Sequence, residues 1–237
     1  MFSRIKPRIA WAAPVAFACS VFWMCTGAAV TPRVYPIDSQ PYGHTYNEWL
    51  ARFHQWSMSL PLEGHPQLDT DEFDVTEGQS GKVWFLGAPF GTVVRNITIP
   101  RGISLFFEIG GSECSSLEPP DSGFHGDTEE EQRACAKFWT DHLVDISCEV
   151  DGVAVKDLWS YRFVTSQFTF TAPSPWIFAE TGGNGTSVAD AYAVMLPPLS
   201  AGKHTLHYTE LFHFSVDDGD LFDGDFGFDL TYNVTVK

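Results

Sequence analysis

The stretch from Ala191 to Ser215, AYAVMLPPLSAGKHTLHYTELFHFS, constrains this chain more than any other. Two apolar runs flank a reversal at Pro197-Pro198 through Gly202, and the second run alternates with period two. Leu206, Tyr208, Phe212 and Phe214 share one face of a strand, opposite Thr205, His207, Thr209, Leu211 and His213. One face can be core while the other offers imidazoles to solvent or to a ligand. The expectation is a hairpin of paired strands on which the remaining strands pack.

Upstream, Arg4, Lys6 and Arg8 precede an uncharged run from Trp11 to Val30, and Gly27-Ala28-Ala29 supplies small residues for cleavage. This reads as a signal peptide over residues 1–29, with an uncleaved anchor as the alternative. Removing 29 of 237 residues leaves 208, enough for one substantial core. The signal takes three basic residues with it, leaving 11 Lys+Arg against 30 Asp+Glu, a net charge of −19. Such a surface repels nucleic acid and anionic membranes, so neither is an expected partner; cations and basic partners are favoured. The expected location is secreted, periplasmic or cell-envelope.

Residues 30–67 read as a proline-rich leader followed by an amphipathic helix that Thr45 opens and Pro61 stops. Tyr46, Trp49, Phe53, Trp56 and Leu60 form one stripe, either a partner face or a helix laid over the domain. Residues 68–237 read as the β-domain. It begins with an acidic loop at Leu68–Ser80, and short strands follow at Val83–Leu86, Thr92–Ile99 and Ile103–Ile109. Residues 110–145 read as an insertion carrying a helix over Asp127–Asp145. Strands resume at Ile146–Val150, Val153–Val155, Tyr161–Thr171 and Phe226–Val236, with a hairpin turn at Asp151-Gly152 and a surface loop at Pro173–Val188. Short strands with Gly/Pro turns give an all-β fold, a sandwich or jelly roll. Cys114, Cys135 and Cys148 suggest one disulfide plus a buried thiol. Cys114 with Cys135 is favoured and Cys114 with Cys148 is the alternative.

The segments WSMSLP, VWFLG, RNITIPRG, the VDG turn and LPPLSAGKHTLHY together resemble a family of uncharacterised secreted proteins. The resemblance implies export and a β-rich domain. It implies no activity and assigns no residue a role.

Three clusters could carry chemistry. His207 and His213 share a strand face, with Glu210 on the other, and could bind zinc or act as acid and base toward a glycan. Asp217, Asp218, Asp220, Asp223 and Asp225 lie in a glycine-containing loop of the kind that binds calcium, which makes Ca2+ the candidate cofactor. Cys114, His125, Cys135 and His142 could bind zinc, although an exported chain would oxidise the thiols. Trp84, Trp159, Tyr161 and Trp176 are the candidate aromatic platform for a glycan or protein ligand. Asn96, Asn184 and Asn233 stand in N-x-T sequons. No nucleophile elbow, metalloprotease helix or phosphate loop is present. The expected function is that of a secreted non-catalytic binding domain. The alternatives are an extracellular glycan hydrolase or lyase and a structural envelope protein.

Overall fold

The computed structural model describes residues 32–68, 74–89, 91–220 and 222–237. The signal-peptide reading, and Asp69, Asp71 and Glu72 of the acidic loop, lie outside the described residues. Among the described residues, ten strands form two mixed sheets. The first holds β1 (Val83–Leu86), β3 (Ser104–Ser115), β8 (Gly183–Leu196) and β6 (Arg162–Val164) in that order, with β7 (Phe168–Ala172) also paired to β8. The second holds β2 (Gly91–Ile99), β10 (Gly224–Val236), β9 (Gly202–Phe214), β4 (Leu143–Val150) and β5 (Val153–Ala154). The all-β, sandwich-like expectation holds, including the helix at the amino-terminal side and the helical insertion.

The expected hairpin does not form. β8 belongs to the first sheet and β9 to the second, so Pro197 to Ala201 turns a corner between layers. β9 pairs instead with β10 and β4, in both cases antiparallel. Its alternation is as read: Leu206, Tyr208, Phe212 and Phe214 are buried, while Thr205, Leu211 and His213 are exposed. The Asp151-Gly152 turn does join a paired hairpin, β4 with β5. The Tyr161–Thr171 segment is two short strands, and Gly183 to Val188, read as loop, already belongs to β8.

The first sheet is covered on both faces, which is why β8 is buried almost continuously from Ser187 to Leu196 instead of alternating. On its inner side Leu105, Phe107, Val194 and Leu196 meet Leu206, Tyr208, Leu230 and Tyr232 of the second sheet. On its outer side lies α1 (Tyr46–Ser59), packed on Phe106, Phe163, Phe168, Ala191 and Ala193. Thr45 and Glu48 form a reciprocal capping box at its start, and Leu60 is already extended before Pro61. The aromatic stripe of α1 is therefore core, each such ring contributing about 2–3 kcal/mol on burial.

β3 runs six residues beyond the expected end at Ile109, through a bulge between Glu108 and Gly110. The inserted helix α2 (Glu129–Asp141) is shorter than expected and carries its own capping box from Thr128 and Glu131. The Cys114–Cys135 disulfide joins the end of β3 to α2, as expected, with Cα atoms 6.0 Å apart. Cys148 is the buried free thiol, its pKa pushed up to about 12 by burial. Among the described residues no helix is long and apolar enough to cross a membrane.

Candidate functional site

β1 accompanies β3 only from Ser104 to Phe107. Past that point, among the described residues, no strand lies along the edge of β3 from Glu108 to Cys114. A cavity of about 280 Å3 occupies this place. It is lined from α1 by Phe53, His54, Ser57 and Met58, from β3 by Glu108 and Gly111 to Glu113, and from the second sheet by Glu210, Phe212, Phe226 and Phe228. Phe124, Trp139 and Phe178 complete the wall, and Gln67 and Ala88 lie at its rim.

Each lining group is held from behind. The His54 ring lies edge-on to Phe53 and parallel to Phe168, at 5.2 and 6.3 Å between centroids. His54 is 7% exposed, and its Nε2 sits 3.0 Å from Oε2 of Glu108. The two atoms face each other off the angle of a hydrogen bond, and neither has another hydrogen-bond partner among the described residues. Both therefore keep capacity toward a third group in the cavity. Glu210 stands at a core-facing position of β9, opposite Phe228 across the ladder to β10. Burial first, then the nearby Glu108 carboxylate, raises its pKa well above the usual glutamate range, while the backbone N–H of Gly111 donates to it. Glu113 is raised in the same way by burial and by Glu118, although Ser187 donates to it at 2.5 Å. Glu118, behind it in the loop, is pushed up to about 7 by burial.

The bulge requires its glycines. A Cβ on Gly110 would stand 3.0 Å from Oε2 of Glu210, and one on Gly111 (φ 153°) would come within 2.4 Å of Ala191. The close approach lets the two sheets bring Glu108, Glu113 and Glu210 to one cavity. The rim is tied down from the interior: Arg95 donates to the carbonyls of Gly87 and Leu68, and the Tyr232 hydroxyl also donates to Gly87. Trp139 stacks on Phe124 at 4.4 Å and donates to the carbonyl of Gly123, on a helix that the disulfide fixes to β3.

The residues singled out from sequence are mostly elsewhere. His207 and His213 do share the outer face of β9, but each is engaged by an aspartate of β10: Asp229 at 2.8 Å and Asp225 at 2.6 Å. Glu210, on the opposite face, is the one member of that trio that reaches the cavity. In the aspartate loop, Asp220 accepts from the Ser215 N–H and pairs with His142 at 2.9 Å, and Asp223 accepts from the Val216 N–H. Asp217 and Asp218 form a short exposed turn, and Asp225 goes to His213. Among the described residues no three His, Cys, Asp or Glu side chains are placed to hold a metal ion. Of the four zinc candidates, Cys114 and Cys135 are consumed by the disulfide.

The aromatic platform is dispersed. Trp84 is half-buried against the inter-sheet core, Trp159 is exposed beside Tyr192, Tyr161 packs on Tyr46 and Phe163, and Trp176 is buried against Phe170 and Phe178. Asn96 and Asn233 occupy one register position on β2 and β10 and hydrogen-bond each other at 3.0 Å.

Glu210 apart, the cavity groups escaped the sequence reading, yet Glu108 carried the same signal as Glu210. Glu210 interrupts the apolar face of β9 in phase, and Glu108 follows Phe106 in phase on β3. A carboxylate at a core-phase position marks a place where burial is tolerated for a reason other than packing. Comparison of the chain with family models, with curated proteins and with solved structures finds no match. The functional reading therefore rests on geometry.

Proposed function

We propose that this protein is an exported binding protein whose ligand is a small organic molecule held in the cavity between α1, β3 and the second sheet. The observation that carries this reading is the buried His54–Glu108 pair, which lines an aromatic cavity with hydrogen-bonding capacity to spare. Ligand sites combine mostly apolar walls with a few convergent polar groups, which is the composition here. The basic-then-apolar amino terminus and the disulfide support export.

The test is a thermal melt of the protein against a panel of small aromatic compounds. Ala88→Phe, at the rim, is expected to abolish any stabilisation by filling the cavity, whereas Trp159→Ala, on the exposed ring beside Tyr192, leaves it intact. Equal stabilisation of the wild type and of Ala88→Phe would place binding elsewhere and sink the reading.

A second reading has its own support: Glu108 and Glu210 are two carboxyls at one cavity, and burial raises the pKa of Glu210 well above the usual glutamate range. A pair with one acid and one base is the equipment of glycoside hydrolysis. On that reading Glu210→Gln loses turnover of a glycan while the fold persists.

A further inference from the structure

We infer that the cavity takes an organic cation, a protonated amine on an aromatic or aliphatic body, with the ammonium group set between Glu108 and Glu210 and the body against the phenylalanines. The inference rests on the binding reading above and names its ligand class.

Four observations converge on it. The cavity lining contains three carboxyls, Glu108, Glu113 and Glu210, one imidazole, and no lysine or arginine. Carboxyls outnumber the one imidazole three to one, so an anionic ligand would meet more repulsion than attraction. Seven aromatic rings line the same space: Phe53, Phe124, Trp139, Phe178, Phe212, Phe226 and Phe228. Ring faces attract cations, most strongly where water is excluded. Phe212 and Phe226 stack at 5.0 Å, and Phe228 stands opposite Glu210, so ring and carboxyl lie on adjoining positions of one sheet face.

Third, one buried carboxyl oxygen still needs a donor. Oε2 of Glu108 is buried without a hydrogen bond, and an ammonium group brings three donors and no acceptor. A sugar hydroxyl could donate to the same oxygen but would leave the excess of carboxyls uncompensated. A bare metal ion is poorly served, because no three ligands converge and most of the wall is apolar. Fourth, the whole chain carries a formal net charge of −16, which raises the encounter rate of cations from a distance.

The experiment is calorimetric titration of the protein with three probes of nearly one shape: phenethylamine, 2-phenylethanol and 3-phenylpropionate. The amine is expected to bind at least tenfold more tightly than the alcohol, with no detectable binding of the carboxylate. Glu108→Gln and Glu210→Gln keep the shape of each side chain, and in Glu210→Gln an oxygen remains for the Gly111 N–H. Each is expected to weaken the amine roughly 10- to 100-fold, the cost of losing a charge-assisted hydrogen bond, and to leave the alcohol unchanged. Circular dichroism of both variants confirms that they are folded. If the alcohol or the carboxylate binds as well as the amine, the cation assignment is overturned while the binding cavity stands. If none of the three binds at millimolar concentration, both fall.

Discussion

At the scale of single residues, the buried carboxyls set how stability responds to pH. Glu118 has a pKa of about 7 in the fold against an ordinary 4.5, and burial is the cause. A carboxyl that holds its proton more tightly folded than unfolded gives its full support below the ordinary range. That support drains away as pH rises toward the folded value. For Glu118 the loss spans about pH 4.5 to 7 and amounts to roughly 3 kcal/mol. Glu113 and Glu210, both raised, add to the slope in the same direction. Urea melts across this range are expected to show stability falling with pH, and Glu118→Gln to flatten the fall. A wild-type profile that rises over the same range would contradict the assignment. These groups were only partly legible beforehand. Glu210 could be placed on the apolar face of β9 by counting, but the burial of Glu113 and Glu118 depends on a disulfide-tied insertion folding back over β3, which no local period records. His54 was hidden differently, at the margin of a helical stripe whose aromatic members drew the eye.

At the scale of elements, the strands and helices were readable because their signals are local. Thr45 with Glu48 announces α1, and Thr45→Ala is expected to cost about 1 kcal/mol in a chemical melt. Phe53, buried between α1 and the first sheet, should cost about 3–5 kcal/mol as Phe53→Ala. Partners were less readable than elements. The Pro197 to Ala201 connection can close a hairpin or turn a corner, and period two in β9 is satisfied either way. The sheet pairing decides it: β8 lies in the first sheet, buried between α1 and the second sheet, and β9 lies in the second. β3 was cut short for a related reason: Gly110-Gly111 breaks the apolar pattern where the chain in fact bulges and continues. Gly111→Ala should therefore lower the melting midpoint sharply, because its Cβ would strike Ala191 across the ladder. Reduction of Cys114–Cys135 is expected to cost about 3 kcal/mol and to loosen α2, with the Trp139 wall of the cavity, before the sandwich itself.

At the scale of the whole molecule, the cavity is a product of mismatch between layers. β1 is four residues long and β3 twelve, so an edge is left uncovered just where α1, the insertion and the second sheet all approach. Most of the aromatic side chains are spent on two cores and on the wall of this space, although Trp159 stays exposed. The methionines offer the most direct view of whether it is occupied. Of the four in the chain, Met58 lines the cavity and Met195 is buried in the core between α1 and the first sheet. With 13C-methyl methionine, a titration with phenethylamine should move the Met58 signal saturably and leave Met195 in place. If Met58 stays fixed while the melting midpoint rises, or if both signals move alike, the ligand is not in the cavity and the account is wrong.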